Sequence, residues 1–189
     1  KAFYARDLIL TIIGTIGANG CNYQVMEFTG EGAKTLSISE RMVLCNMAVE
    51  AGAKTGIFEP DEKAIEYLEA HGRKPKALFK SDPDAVYARE YTFDLSKIRP
   101  VVAKPDFVDN LVPAEEVRGV KIDEAFLGSC NNGRIEDLRV GASIIKERRS
   151  LKVRFLVVPA SQTVYLQALK EGLIDTFMEA GAIVMNPNC

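Results

Sequence analysis

The sequence predicts an α/β protein built on parallel sheets. In the second half of the chain, short apolar runs at 125–127, 153–158 and 182–185 alternate with stretches of helical periodicity. Strands that alternate with helices pair in parallel through right-handed crossovers. The composition, 47% hydrophobic and 26% charged over 189 residues, is typical of a globular chain large enough to bury a core.

Charge and composition exclude several classes of function. A net charge of −2 does not support electrostatic binding of nucleic acid or of an anionic membrane. No apolar run reaches the roughly 18–20 residues that span a bilayer. Four cysteines, no Cys-x-x-Cys pair and no export signal predict a reduced, cytoplasmic protein. Because the first residue is not Met and the last is Cys189, we expect a fragment or a chain seen only in part.

The first predicted helix covers residues 7–16 and is rich in Ile and Leu. Gly14, Gly17 and Gly20 have the spacing of a phosphate-binding loop. Such a loop follows a strand and begins a helix, whereas these glycines close a helix. We therefore interpret them as a helix end and a turn. A strand is predicted after them, over 23–28.

A capping box marks the next helix, since Ser37 is followed three residues later by Glu40. The helix over 40–51 is almost entirely apolar and is predicted to be buried on most sides. Asn46 and Glu50 interrupt it at a spacing of four residues, which places them on one face. Two interpretations stay open: this is the solvated face, or it presents an amide and a carboxylate to a polar cleft.

A strand over 55–58 is followed by a helix that begins after Asp61 and ends at Ala70. His71, the one histidine, then lies at the helix C-terminus, where a cation suits the dipole. The segment over 73–105 is then rich in Lys and Pro. We place a domain boundary near residue 98.

Two cysteines follow strands of the predicted parallel sheet. Cys130 comes after 125–127 and Cys189 after 182–185, so both belong to the carboxyl edge where ligands bind. The helix over 135–147 directs its N-terminus toward Cys130 and lowers the pKa of the thiol. Cys21 and Cys45 have no such placement and are interpreted as buried small residues. Two further helices are predicted, one capped by Ser161 and one over 173–180.

Three segments resemble the aconitase superfamily, and within it the large subunits of 3-isopropylmalate dehydratase and homoaconitase. The run Gly-Ser-Cys-Asn-Asn-Gly-Arg at 128–134 resembles the first cluster-ligand motif, with Asn131 in place of the usual Thr. The end of the chain, 179–189, resembles the approach to the family's Cys-x-x-Cys pair. Residues 41–53 resemble the helix that carries an active-site glutamate. The resemblance covers essentially the whole chain.

The resemblance implies three-layer, parallel-sheet α/β domains of the aconitase type, incomplete in this chain. Residues 1–98 correspond to part of the second domain and residues 99–189 to part of the third, which carries the cluster cysteines. It also implies a [4Fe-4S] cluster held by three cysteines. Cys130 and Cys189 are the expected ligands here, with the third three residues after Cys189.

Further residue roles follow from the resemblance. Glu50 is the expected catalytic carboxylate, which orients water or holds an active-site histidine. Asn46 is a candidate for the same cleft. Arg134 is expected to bind a substrate carboxylate. Arg139 either does the same or is a surface charge.

The implied activity is a hydro-lyase that dehydrates and rehydrates a hydroxy di- or tricarboxylic acid of the 3-isopropylmalate type. A small subunit with a swivelling domain is the implied partner, and the fragment alone is expected to be inactive. Homoaconitase or a related 2-alkylmalate dehydratase is the alternative. A non-catalytic RNA-binding or regulatory module and a Cys-dependent acyl-transfer enzyme are less favoured, because the chain has no basic stripe and no base close to Cys130 in sequence.

Overall fold

The computed structural model describes residues 3–146 and 151–188. The chain forms two compact units, Lys1–Arg118 and Gly119–Cys189. Each unit has its own hydrophobic core. Within the described residues, every helix is too short or too polar to cross a lipid bilayer.

The first unit combines helices with two small sheets. Its helices are α1 (Ala5–Ile16), α2 (Glu31–Thr35), α3 (Ile38–Met47) and α4 (Glu62–Ala70). Its strands are β1 (Val25–Phe28), β2 (Thr55–Phe58), β3 (Val101–Ala103) and β4 (Leu111–Pro113). Strands β1 and β2, both predicted as strands, pair in parallel with Val25 opposite Thr55. Strands β3 and β4 pair antiparallel, which the sequence did not predict.

The first unit ends at Arg118 and not near residue 98, because the segment in between packs on α1. Ile98 is buried in the first core. The buried Asp7 carboxylate accepts a hydrogen bond from the Val101 N–H at 3.2 Å. The assignment of the two parts of the chain to the second and third domains of the family stays a prediction.

Helix α3 begins as predicted. The Ser37 hydroxyl accepts from the Glu40 N–H at 3.2 Å, and the Glu40 carboxylate accepts from the Ser37 N–H at 2.8 Å. The helix narrows to a 3₁₀ turn over Ala48–Ala51 and ends at Gly52, which has a φ of 81°. This turn places Val49 at 63% exposure, so the prediction of a helix buried on most sides is wrong there.

An ion pair between a buried arginine and a partly exposed aspartate joins α3 to the start of α4. Arg41 is only 5% exposed, and its guanidinium binds both carboxylate oxygens of Asp61, with Nη1 2.8 Å from Oδ1. Its Nε also donates to the Leu36 carbonyl at 3.2 Å. The Arg41 guanidinium holds the pKa of Asp61 below its usual value. Asp61 in turn caps α4, since its carboxylate accepts from the Ala64 N–H.

The second unit is a regular α/β arrangement. Strands β5 (Glu124–Gly128), β6 (Arg154–Val158) and β7 (Ile183–Val184) form one parallel sheet in chain order. The helices are α5 (Ser129–Asn132), α6 (Ile135–Ile145), α7 (Gln162–Lys170) and α8 (Leu173–Glu179). The three predicted strands and the Ser161 cap are confirmed. The predicted end of the helix over 135–147 lies partly outside the described residues, and α5 was not predicted.

Two glycines bring the loop after β5 against the end of β6. A Cβ at Gly128 or at Gly133 would overlap the carbonyl oxygen of Val158. Gly128 has a φ of 147°, a conformation that other residues rarely adopt. The Gly133 carbonyl accepts a hydrogen bond from the Ala160 N–H at 2.8 Å. The loop between the two glycines is therefore held directly on the sheet edge.

The substitution Asp61→Asn tests the ion pair of Arg41 and Asp61, because Asn keeps the cap oxygen and removes the charge. We expect a loss of about 2–4 kcal/mol at pH 7. Because the pKa of Asp61 is lower in the folded than in the unfolded state, its charged carboxylate stabilises the fold at pH values above the unfolded-state pKa. This contribution disappears as the pH falls through the folded-state pKa. Urea unfolding should therefore show the difference between variant and wild type shrinking in acid. Equal differences at neutral and acid pH would contradict this account.

The glycine contacts predict a graded series of alanine variants. Gly119 has a φ of 87° and open space around it, so Gly119→Ala costs about 1 kcal/mol from backbone conformation alone. Gly133→Ala costs about 1–3 kcal/mol from overlap, and Gly128→Ala combines both effects. Native-state hydrogen exchange of β5 and β6 amides measures each cost. A Gly128→Ala protein as stable as Gly119→Ala would show that the close approach is unimportant.

Candidate functional site

Cys130 lies on the short helix α5, directly after β5 ends. Its side chain is exposed, in contrast to the buried Cys21 and the half-buried Cys45. Glycines flank this turn at 128 and 133. The thiol is therefore presented to ligands at the carboxyl edge of a parallel sheet, where ligands bind in open α/β folds.

The backbone on both sides of Cys130 is held in place. Ser129 has a φ of 52°, which is unusual for a residue other than glycine, and its Oγ lies 4.0 Å from the Cys130 Sγ. Arg134 donates from Nη2 to the Cys130 carbonyl at 3.4 Å. The Arg134 Nε is buried and has no hydrogen-bond partner among the described residues. A buried donor of this kind has unused capacity for a ligand.

Asp137 organises the start of α6. Its carboxylate accepts from the Arg134 N–H at 3.2 Å and from the Asn132 Nδ2 at 3.4 Å. Burial raises the pKa of this carboxyl. Cys130 lies on the separate short helix α5, and the Arg134 N–H at the start of α6 bonds to Asp137. The predicted effect of α6 on the Cys130 thiol stays a prediction. Asn131 is buried and Asp137 is half-buried, and no pattern in the sequence indicated either burial.

The thiols differ in their ability to bind a metal. Burial raises the pKa of Cys21 and of Cys45, which disfavours the thiolate that metals require. Cys130 is exposed and adjoins Arg134. The prediction that Cys21 and Cys45 are packing residues agrees with their positions in the first unit.

The chemistry of the site fits one thiolate ligand of an iron–sulfur cluster. Cys189 lies outside the described residues, although β7, which precedes it, belongs to the same sheet as β5. Over residues 3–146 and 151–188, no three His, Cys, Asp or Glu side chains are grouped closely enough to hold a metal. Cys130 is the one exposed thiol in the described part of the chain, and a cluster held by several thiolates would need further ligands from outside these residues.

Asn46 and Glu50 belong to the first unit, and both are exposed. Asn46 lies on α3, whereas Glu50 lies in the 3₁₀ turn over Ala48–Ala51. A 3₁₀ turn has three residues per turn, so the spacing of the two side chains differs from that of a continuous α-helix, and their shared face stays a prediction. The turn projects Glu50 away from the buried part of the helix.

Two other charged or titratable residues have local roles. Arg139 forms a bidentate ion pair with Glu171 at 2.7 Å on the surface of the second unit, which favours the surface-charge interpretation. His71 follows α4, and its Nδ1 lies 2.7 Å from the Tyr67 carbonyl.

Comparison with known proteins agrees with the resemblance in the sequence. The sequence model of the Aconitase family (aconitate hydratase) matches residues 1–118 and 110–189. A probable methanogen homoaconitase large subunit from Methanothermobacter thermautotrophicus is 50% identical over 98% of this chain and 44% of its own length. A probable 3-isopropylmalate dehydratase large subunit from the same organism is 53% identical over 98% and 45%.

The 3-isopropylmalate dehydratase large subunit of Caldicellulosiruptor saccharolyticus is 52% identical over 97% of this chain and 43% of its own length. The chain thus spans less than half the length of the curated relatives it matches. Within that span, the family model accounts for both compact units of the structure. The chain belongs to the aconitase family.

Proposed function

We propose that the whole protein is the large subunit of a hydro-lyase that converts a hydroxy-dicarboxylate of the 3-isopropylmalate type into its isomer. One observation carries the proposal: an exposed thiol, Cys130, is fixed by two glycines at the carboxyl edge of a parallel sheet. The relatives named as large subunits support a small subunit as the partner. The three cysteines among the described residues form no disulfide with one another, which suits the reducing cytoplasm.

Cys130 and Cys189 are the residues proposed to hold a [4Fe-4S] cluster, with a third thiolate three residues after Cys189. When bound, such a cluster supplies a Lewis acid at the iron that lacks a thiolate. The rigid backbone around Cys130 limits the movement of the ligand sulfur. Asn131 is buried and the residues beside Cys130 are small, so they leave space next to the thiol for a ligand.

Glu50 and Arg134 are proposed to act on the substrate. The exposed Glu50 carboxylate accepts a hydrogen bond from the water that is removed and added again, or holds a histidine of the complete site. The exposed Asn46 amide is proposed to bind the substrate in the same cleft as Glu50. Arg134 has nitrogen donors left over after its bond to the Cys130 carbonyl, and these suit a substrate carboxylate. The partner subunit supplies the remaining groups.

Homoaconitase is a second candidate function, because a relative with that name is 50% identical over 98% of the chain. Both candidates involve hydroxy-carboxylates with the same reacting atoms. Assays of the complete enzyme with 3-isopropylmalate and with homocitrate separate them by the ratio of kcat/KM.

The cluster proposal predicts the behaviour of cysteine variants of the whole protein. After anaerobic reconstitution with iron and sulfide, wild type should show thiolate-to-iron charge-transfer absorption and bound iron. Cys130→Ser should lose both, because serine is a poor ligand for the cluster. Cys45→Ala is the control, since that thiol is half-buried and its pKa is raised. Full cluster loading in Cys130→Ser, or none in wild type, would contradict the proposal.

The role of Glu50 predicts a selective loss of rate. In the enzyme complete with its partner subunit, Glu50→Gln should lower kcat by about 10²–10⁴-fold, because the neutral amide is a weaker hydrogen-bond acceptor than the carboxylate and cannot take a proton from the reacting water or the histidine. KM should change little, since the amide keeps the size and polarity of the side chain. Glu69→Gln, an exposed position on α4, serves as the control. A Glu50→Gln enzyme with wild-type kcat would remove Glu50 from the mechanism.

A further inference from the structure

Two non-glycine residues in the described part of the chain have a positive φ angle, Ser129 at 52° and Tyr23 at 63°. Left-handed backbone is a genuine outlier for a bulky residue, and such outliers cluster at active sites and ligand clamps. Ser129 adjoins Cys130, which the proposed function already uses. Tyr23 therefore indicates a second functional position, in the first unit.

Backbone hydrogen bonds tie the Tyr23 loop to the turn that carries Glu50. The Tyr23 N–H donates to the Gly52 carbonyl at 3.1 Å. The Lys54 N–H donates to the Gln24 carbonyl at 2.8 Å. Glu50 immediately precedes this connection in the chain. The loop and the turn thus form one fixed element that combines Tyr23, Glu50 and Lys54.

Lys54 and Tyr23 form an exposed cation–π pair. The Lys54 Nζ lies 3.9 Å from the centroid of the Tyr23 ring. Tyr23 is 83% exposed, so the strained backbone does not serve to bury the ring in the core. Within residues 3–146 and 151–188, no carboxylate forms an ion pair with Lys54. The ring holds the ammonium in place and leaves its other side open to an anion.

The surface beside this pair has the composition of a carboxylate-binding site. Val49, in the 3₁₀ turn next to Glu50, is an apolar side chain that is 63% exposed, and Asn46 and Glu50 are exposed polar side chains. We propose that the Lys54 ammonium, held on the Tyr23 ring, binds one carboxylate group of the dicarboxylate substrate beside Glu50. This inference rests on the proposed function, which places Glu50 in the active site.

The two residues have different roles in this arrangement. Lys54 contacts the substrate as a point charge with three donors. Tyr23 is a positioning residue: its left-handed backbone brings the ring under Lys54 and limits the volume in which the ammonium moves. Restricting the side chain before the ligand arrives reduces the entropy lost on binding.

The test uses the whole protein with its partner subunit and an inert dicarboxylate, 2-isopropylsuccinate, which lacks the hydroxyl group and cannot be dehydrated. Isothermal titration calorimetry gives its Kd. We expect Lys54→Met to raise Kd about tenfold or more, because a charge-assisted bond is lost. Lys54→Arg should bind within about threefold of wild type, because the charge is kept. Lys97→Met, an exposed lysine with 83% of its side chain accessible, should match wild type.

Tyr23→Gly separates a positioning role from a structural one. Glycine adopts the same φ without strain, so the melting temperature should be unchanged or higher. Kd should still rise, because the ring under Lys54 is gone. In steady-state assays of the substrate, both Tyr23→Gly and Lys54→Met should raise KM more than they lower kcat. A lower melting temperature with an unchanged Kd would make Tyr23 merely structural and overturn its part in the inference.

The outcomes distinguish this inference from the proposed function. If wild type binds the analogue and Lys54→Met binds it equally well, the Lys54 site is wrong while the proposed function stands. If Lys54→Met instead weakens association with the partner subunit at an unchanged Kd, the pair is a protein contact and the inference is wrong. If wild type neither binds the analogue nor acts on 3-isopropylmalate or homocitrate, both fail.

Discussion

The close approach of the Gly128–Gly133 loop to the end of β6 determines how the second unit presents Cys130. Any side chain at either glycine would overlap the Val158 carbonyl, so the loop has one position against the sheet. The positive φ of Ser129 and the Arg134 bond to the Cys130 carbonyl follow from that path. A cluster ligand benefits from this rigidity, because the cost of ordering the loop is met on folding and not on metal binding.

The first unit uses a different constraint to present polar groups. The ion pair of Arg41 and Asp61 fixes the start of α3 against α4, and the helix then narrows to a 3₁₀ turn before Gly52. The 3₁₀ turn exposes Val49 and Glu50 between the buried Ala48 and Ala51. Both units therefore expose their candidate residues at the end of a regular element, where backbone of unusual geometry departs from a rigid core.

Much of the fold could be predicted from local signals in the sequence. The caps at Ser37, Asp61 and Ser161 and the strands of the second unit are confirmed because they depend on neighbouring residues or on hydrophobic runs. The burial of Arg41 and the 3₁₀ turn could not be predicted, since both depend on packing between distant segments. The left-handed Tyr23 and Ser129 carry no sequence signal, because neither Tyr nor Ser favours that conformation. Cys130 was identifiable as a candidate because it follows a predicted strand and lies in a specific motif.

The central claim is that Cys130 belongs to a three-thiolate cluster with one iron open to substrate. Mössbauer spectroscopy of the whole protein, reconstituted anaerobically with ⁵⁷Fe, tests this claim most directly. The account predicts that adding the substrate dicarboxylate shifts the signal of one iron and leaves the other three unchanged. Four irons that do not respond to substrate, or a protein that binds no cluster, would contradict it.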